Sequence, residues 1–211
     1  MIHEEGTKIM ALEEDKRERI LNAAMSEFLN GYKKASTDNI VREAGISKGL
    51  LFHYFGTKEK LYSFLVEYAV QIVQIEYIDL INVFQKDILD SIWQLSLLKQ
   101  DLSRRFPTIF EFLTRVYVDD KDCPAKTHIE QFQQIQAKMM KDIYSHIDMS
   151  LFRDDIAADK ALELIMMMLN GYIQKTEAYV REKGVFSGKS YDDFLDEFKQ
   201  YLDIIRKCFY K

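Results

Sequence analysis

Helix-breaking residues are scarce in this chain. Its 211 residues include only two prolines and eight glycines, and five of those glycines lie within the first 56 positions. A β-rich fold needs frequent turns, which these residues normally supply, so the composition argues against one. The long stretches without breakers after residue 56 indicate long helices. We therefore predict an all-α fold.

Cysteines and long apolar runs are also scarce. Cys123 and Cys208 are too isolated for a disulfide framework or a zinc site, so we expect both thiols to be reduced, with Cys208 in a helical core. No run of about eighteen apolar residues occurs that could span a membrane. Residues 1–5 lack the basic start and apolar stretch of a signal peptide. Together these absences predict a cytoplasmic location.

Residue patterns typical of enzymes are missing. The four histidines, His3, His53, His128 and His146, show no metal-binding spacing such as H-x-x-x-H. No glycine-rich phosphate loop is present either. We expect no catalytic residue, no metal site and no cofactor.

The net charge of −5 is unevenly distributed along the chain. Residues 1–60 contain ten Lys/Arg and ten Asp/Glu, so the excess of acidic residues lies entirely beyond them. Residues 31–60 contain six Lys/Arg against three Asp/Glu, a local charge of +3. This local excess is compatible with nucleic-acid binding, although an ordinary solvated face gives a similar count.

The stretch from Ser36 to Phe55 carries the strongest pattern. It predicts two short helices, with Ser36 and Ser47 as their N-terminal caps and Gly45 in the left-handed conformation that ends the first helix. Apolar residues recur at helical spacing on both sides of the turn, for example Ile40 with Ala44. This geometry is that of a DNA-binding helix-turn-helix, or alternatively of an ordinary corner between two helices.

Helices are also predicted on both sides of this motif. Asp15 and Glu18 have the spacing of a capping box, so we expect the upstream helix to begin near Asp15 and to end at 30–32. Downstream, Gly56 is predicted to break the chain, and Thr57 to cap a helix that runs to about residue 75.

Order, spacing and residue type over roughly residues 15 to 65 resemble the tetracycline-repressor (TetR) family of bacterial regulators. The matching positions are Arg19–Ala24, Phe28, Gly31, Tyr32, Ser36, Ile40, Ala44–Gly49, Tyr54, Phe55 and Lys58–Leu61. The resemblance implies an all-helical homodimer with an N-terminal three-helix DNA-binding domain, which contains the helix-turn-helix, and a C-terminal helical domain for sensing and dimerisation. At Leu50 and Phe52 the family often has Thr and Tyr, so this chain lacks two hydroxyls that could bind DNA.

On this resemblance we divide the chain into a flexible N-terminus (1–13), a DNA-binding domain (14–60, motif 36–55) and a ligand-sensing and dimerisation domain (61–211). The positions that would face DNA are Ser36, Thr37, Ser47, Lys48, Gly49, Leu50, Phe52, His53, Tyr54 and Lys58. We expect Lys48 to contact a base edge and Leu50 a thymine methyl, with His53 on a base or a phosphate. Tyr54 and Lys58 would hold phosphates.

The rest of the chain is predicted to form helices over about 77–99, 103–120, 124–147, 156–183 and 191–209. Apolar residues spread around much of the helix at 156–183, and Gly171 would allow another backbone to approach it. Either this helix is buried inside one subunit, or it pairs with a second copy. The resemblance favours a homodimer formed by the last two helices.

Aromatic and methionine side chains in the middle of the chain could line an effector site or a core. The candidates are Trp93, Phe110, Tyr117, Phe132, Met139, Tyr144 and Met168. With the resemblance they favour a small apolar or aromatic effector. An acid for a cationic ligand could be Glu111, Glu130 or Glu163, unless these lie on solvated faces.

The function predicted from the sequence is that of a transcriptional regulator which represses by binding a palindromic DNA operator and is released by its effector. A ligand-dependent activator is one alternative. A helical protein-interaction module without DNA binding is the other.

Overall fold

A computed structural model describes residues 8–78, 86–119, 124–183 and 190–211. Nine α-helices lie entirely within these ranges: α1 Glu14–Phe28, α2 Thr37–Ala44, α3 Lys48–Phe55, α4 Lys58–Ile78, α5 Ile88–Arg105, α6 Pro107–Asp119, α7 Lys126–Ser145, α8 Ala158–Lys183 and α9 Tyr191–Phe209. A short 3-10 helix spans Met149–Leu151. The one β-type pairing in the same ranges is an isolated bridge between Phe152 and Tyr210. The predicted all-α fold is confirmed.

The helices pack into two compact units that are not contiguous in sequence. Unit 1 comprises the chain up to Tyr77 together with Phe106–Gln134, and unit 2 comprises Ile78–Arg105 and Ile135–Lys211. By packing, unit 1 therefore takes in α4 and α6 as well as the helix-turn-helix. The predicted boundary at residue 60 separates DNA binding from ligand sensing and dimerisation. It is a boundary between functions and not between packing units, and it stays a prediction.

The core of unit 1 is built from the apolar stripes that the sequence predicts. Fully or almost fully buried side chains come from α1 (Ile20, Leu21, Ala24, Phe28), α2 (Ile40, Ala44), α3 (Leu51, Phe55), α4 (Leu61, Leu65) and α6 (Phe112). The ring of Tyr62 packs edge-on against Phe28, with 4.9 Å between ring centroids, and also contacts Phe112 at 5.7 Å. Burial of such large aromatic side chains supplies much of the stabilisation of a small helical unit.

Unit 2 has a separate core between α5, α8 and α9. Its buried members include Ile88, Leu89 and Ile92 of α5, Ala161, Ile165 and Leu169 of α8, and Phe198, Leu202 and Ile205 of α9. Polar contacts add to it where the chain ends, because Arg206 donates to Asp87 and Asp90 at 2.6 Å each. The hydroxyl of Tyr210 donates to the same Asp87 at 2.8 Å.

The start of α1 near Asp15 is confirmed without its predicted cap, whereas the predicted start of α5 is wrong. No capping box forms at Asp15, because α1 already begins at Glu14 and its N-cap, Glu13, makes no side-chain cap. Asp15 instead lies within the first turn, where a carboxylate favours the helix dipole. The helix predicted over 77–99 starts at Ile88, because Asp87 accepts a 2.8 Å hydrogen bond from the backbone N–H of Leu89. Residues 79–85 lie outside the described ranges.

Two side chains differ in burial from the sequence prediction. Ile9, inside the segment predicted to be a flexible N-terminus, is fully buried in the core of unit 1, and residues 1–7 lie outside the described part. Cys208 is exposed as a free thiol rather than packed in a core, since it lies on α9 away from the stripe that carries Leu202 and Ile205. Cys123 belongs to the undescribed segment 120–123.

No helix in the described ranges is long and apolar enough to cross a membrane. The same ranges hold no cluster of His, Cys, Asp and Glu side chains with the arrangement of a metal site.

Candidate nucleic-acid interface

The helix-turn-helix forms with the caps that its sequence predicts. The Ser36 hydroxyl accepts from the backbone N–H of Asp38 at 3.3 Å, and the Ser47 hydroxyl accepts from that of Leu50 at 3.2 Å. Gly45 has φ +65° and ψ 38°, the left-handed conformation that glycine adopts at little cost. The N–H of Ile46 then bonds the carbonyl of Val41 at 3.0 Å, so a tight turn fixes α3 relative to α2.

The first turns of α3 present most of the predicted DNA-facing residues. Ser47, Lys48, Gly49 and His53 are exposed, whereas Leu50 and Phe52 are partly buried. Leu50 packs in part against the core of unit 1, so only part of its side chain is available to an outside partner.

Tyr54 lies mostly inside unit 1. Its side chain is 8% exposed and belongs to the buried core, where its ring packs edge-on against Phe55 at 6.4 Å between centroids. A phosphate contact from Tyr54, which stays a prediction, would have to come from the small part of the side chain that reaches the surface.

The space around Gly49 would accommodate a larger side chain. A Cβ atom built there would meet nothing nearer than the Ser47 hydroxyl oxygen at 4.0 Å, and the backbone conformation is not left-handed. Packing inside the chain therefore does not require glycine at this position.

Lys58 is placed differently from a free surface lysine. Its ammonium donates a 2.6 Å hydrogen bond to the carbonyl of Ala35 and lies 4.9 Å from the centre of the Tyr32 ring. Burial lowers the pKa of the Lys58 ammonium, and the nearby Glu27 carboxylate opposes part of that change. The side chain thus contacts the segment before α2.

Residues 20–63 match the sequence model of the bacterial regulatory proteins of the tetR family. The match includes the whole helix-turn-helix, with both caps and the glycine turn in place. Over these residues the chain is similar to the TetR family of transcriptional regulators. This likeness supports a DNA-binding regulator of transcription rather than an enzyme.

Solved structures of TetR-family regulators extend the likeness in fold to almost the full chain. A TetR-family regulator from Chloroflexus aurantiacus is 20% identical, with 97% of this chain and 98% of that one covered and a TM-score of 0.57. The ketosteroid transcriptional regulator KstR2 of Mycobacterium tuberculosis is 20% identical over 95% and 97%, with a TM-score of 0.61. FadR from Bacillus subtilis, solved with stearoyl-CoA, is 15% identical over 89% and 96%, with a TM-score of 0.56.

The predicted effector-site residues are divided between the two units. Phe110, Tyr117 and Phe132 belong to unit 1, and Tyr117 is exposed while Phe132 packs against the core. Trp93, Tyr144 and Met168 are partly buried, and all three pack against the core of unit 2. The side chain of Met139 lies outside the described part.

The acids proposed for a cationic ligand have different surroundings. Glu163 is exposed and forms a 2.7 Å ion pair with Lys160, which fits the solvated-face alternative. Glu111 is partly buried, and that burial raises the pKa of its carboxyl group. Glu130 is exposed on α7.

Sequence reasoning missed the contacts of two acidic residues, one within the helix-turn-helix and one on α1. Asp38 forms a 2.7 Å ion pair with Lys48, and Glu27 accepts a hydrogen bond from the backbone N–H of Ser36 at 2.8 Å. Glu27 lies nine residues before Ser36. Helical spacing within α1 does not show this contact, because it depends on how α1 and α2 pack.

Proposed function

We propose that this regulator is a homodimeric repressor which binds a palindromic operator and leaves it when a small apolar or aromatic effector binds. The observation that carries the DNA part is the exposed surface of α3, which has Lys48 and Gly49 at its start, next to the Gly45 turn and the Ser47 cap, and His53 in its last turn. In helix-turn-helix proteins the second helix enters the major groove with its N-terminal residues on base edges. Lys48 would donate to a guanine, and His53 to a base or a phosphate.

The remaining predicted contacts are part of the same proposal. Ser36, Thr37 and Ser47 would hold the sugar-phosphate backbone, and the exposed part of Leu50 would pack on a thymine methyl, with Phe52 beside it. Because neither Leu50 nor Phe52 carries a hydroxyl, specificity at their base pairs would come from apolar contact.

The dimer is supported by an apolar surface on the last two helices. Leu164 and Met167 of α8 are 50% and 59% exposed, and Ile204 of α9 is 56% exposed. Gly171 continues the row of Leu164 and Met167 at helical spacing, and a Cβ atom there would meet nothing within 4 Å. Exposed apolar rows of this kind mark protein interfaces, and a second copy is the partner that a palindromic operator requires.

The effector is assigned to unit 2. Trp93, Tyr144 and Met168 are the candidates that pack around one core, and aromatic and thioether groups suit an apolar ligand. Among relatives of similar fold, one is named a ketosteroid regulator and another was solved with stearoyl-CoA, so lipophilic compounds are the first class to test. The three remaining candidates of unit 1, Phe110, Tyr117 and Phe132, are the second choice.

The DNA part is tested by selecting sequences from a random duplex library with the intact chain. A palindrome with half-sites separated by about 34–36 Å, or a multiple of it, is expected. Sedimentation in the same buffer should give twice the 24.9 kDa mass of one chain. Selection of no sequence, or of one unpaired half-site by a 24.9 kDa species, would contradict the proposal.

The effector part is tested by fluorescence, since Trp93 is the only tryptophan of the chain. Titration with lipophilic compounds should change its emission and release the operator over the same concentration range. A coupling of about 1–3 kcal/mol corresponds to a five- to 150-fold loss of operator affinity. A ligand that instead tightens operator binding would indicate the opposite sign of regulation.

A further inference from the structure

The peptide group between Ala35 and Ser36, immediately before α2, is held from both sides by opposite charges. Its carbonyl oxygen accepts the 2.6 Å hydrogen bond from Lys58, the first residue of α4. Its N–H donates a 2.8 Å hydrogen bond to Oε1 of Glu27, in the last turn of α1. One peptide plane thus joins α1, α2 and α4 through two charge-assisted hydrogen bonds.

The network continues along α2. The side-chain amide of Asn39 donates to the same Glu27 oxygen at 3.2 Å, and Arg42 donates to the side-chain Oδ1 of Asn39 at 2.9 Å. Arg42 lies in the last turn of α2, next to the turn that leads into α3. Both ends of α2 are therefore linked to Glu27.

We propose that Lys58 and Glu27 are positioning residues, which set the angle of α2, and so of α3, for entry into the DNA groove. We call the arrangement of Lys58, the 35–36 peptide and Glu27 the peptide clamp. This inference rests on the proposed DNA binding and replaces the phosphate contact that the sequence suggests for Lys58. An ammonium that bonds a carbonyl and lies over the Tyr32 ring is directed into the protein.

Substitution of Glu27 distinguishes the peptide clamp from a general charge effect, because the two predict opposite changes in affinity for DNA. Loss of a negative charge close to DNA should tighten binding to every sequence. Loss of the clamp should weaken operator binding, because α3 then has to be ordered on binding. We expect Glu27→Met to lower operator affinity about tenfold, the size of effect that loss of one charge-assisted hydrogen bond can have.

Four further variants complete the design. Glu27→Gln keeps an oxygen that can accept from Ser36, so it should recover most of the operator affinity. Glu43→Met removes a charge from an exposed position of α2 outside the clamp, and should leave operator affinity equal to or higher than that of the wild type. Lys58→Arg retains a donor for the Ala35 carbonyl, and should bind better than Lys58→Met.

Salt dependence decides the role of Lys58. Loss of one phosphate contact lowers the slope of log K against log salt by about 0.9. The clamp predicts weaker operator binding by Lys58→Met with an unchanged slope and an unchanged affinity for random DNA. All titrations are made at a temperature at which circular dichroism shows each variant to be folded, so that loss of stability alone cannot produce the result.

The clamp is wrong if Glu27→Met binds the operator as tightly as the wild type or more tightly. It is also wrong if Lys58→Met lowers the salt slope by about 0.9. A wild-type chain that binds no DNA would overturn the proposed function itself, which is a different result from either of these.

Discussion

The carboxylate of Asp38 on α2 lies 2.7 Å from the ammonium of Lys48, the first residue of α3. Both side chains are well exposed, at 70% and 52%, so the pair contributes only about 0–1 kcal/mol to stability. Its importance is that Lys48 is the residue proposed to contact a base. DNA therefore competes with Asp38 for the same ammonium.

Asp38→Asn should raise affinity for both operator and random DNA by a few-fold, because it frees Lys48 and removes a negative charge near phosphates. Fluorescence anisotropy at two salt concentrations measures the change. In a Lys48→Met background the gain should be smaller, since one of its two causes is then absent. An equal gain in both backgrounds would show that the ion pair does not restrain Lys48.

Gly49→Ala should raise the stability of the free chain and lower its affinity for the operator. The site has room for a Cβ atom, so the substitution should stabilise the free chain by about 0.5–1 kcal/mol, measured by chemical denaturation. The same methyl group should weaken operator binding, because it occupies the space into which the DNA backbone is proposed to come.

Gly171→Ala is the matched control for Gly49→Ala. It adds the same methyl group to an exposed helical glycine with open space around it, so its effect on helix stability should be similar. Its effect on function should differ, with a weaker dimer and unaltered contacts at α3. Equal losses of operator affinity at matched dimer concentration would contradict the proposed role of Gly49.

The secondary structure was largely predictable, because it depends on local residues. The bounds of α9, Tyr191–Phe209, match the prediction, and the caps at Ser36 and Ser47 follow from residues two or three positions away. The start of α5 was not predictable, because Asp87 is fixed by contacts with Arg206, 119 residues later. The clamp residue Glu27 was missed for the same reason, since its partners lie on other elements.

Met167→Asp should abolish the dimer. A carboxylate in the exposed row of Leu164, Met167 and Gly171 would be desolvated against a second copy, which is strongly unfavourable. Sedimentation should give the mass of one chain, and operator affinity should fall although Met167 lies outside the DNA-binding motif. Thermal melting of the monomeric unit should change little, because the side chain is exposed.

Ile173→Asp is the control for Met167→Asp, whereas Phe198→Asp is unsuitable. Ile173→Asp places the same charge on α8 at a position about two and a half turns beyond Leu164, on the opposite side of the helix, and should leave the dimer intact. Phe198→Asp is not a useful test, because Phe198 is buried and stacks on Tyr172 at 4.9 Å between ring centroids. Its replacement would disrupt the core of unit 2 instead. A dimeric Met167→Asp protein would place the interface elsewhere.

Acid should weaken the link between α5 and α9. Hydrogen bonds from Gln100 and Arg104 hold the pKa of the Asp192 carboxyl below its ordinary value. Because the folded-state pKa is the lower one, this stabilisation is present above about pH 4 and is lost as the pH falls further. Asp192→Asn should therefore be less stable than the wild type at pH 7, with a difference that shrinks on acidification.

Urea denaturation of both chains at a series of pH values checks this difference. Asp196→Asn makes the same charge change at an exposed position of the same helix and serves as the control. A stability difference for Asp192→Asn that does not vary with pH would mean that the ionised carboxylate is not what joins the two helices.

Phe112 has a consequence for how such regulators can be recombined. Although it lies more than fifty residues after α3, it is fully buried beside Phe28 and Tyr62 in the same core that buries Leu51 and Phe55 of α3. In a chimera that exchanges only residues 1–60, α1 from one parent would therefore have to pack against α6 from the other parent. Grafts that carry α6 along with the N-terminal helices should keep this aromatic cluster intact, so a new DNA specificity is transplanted as two separate pieces of sequence.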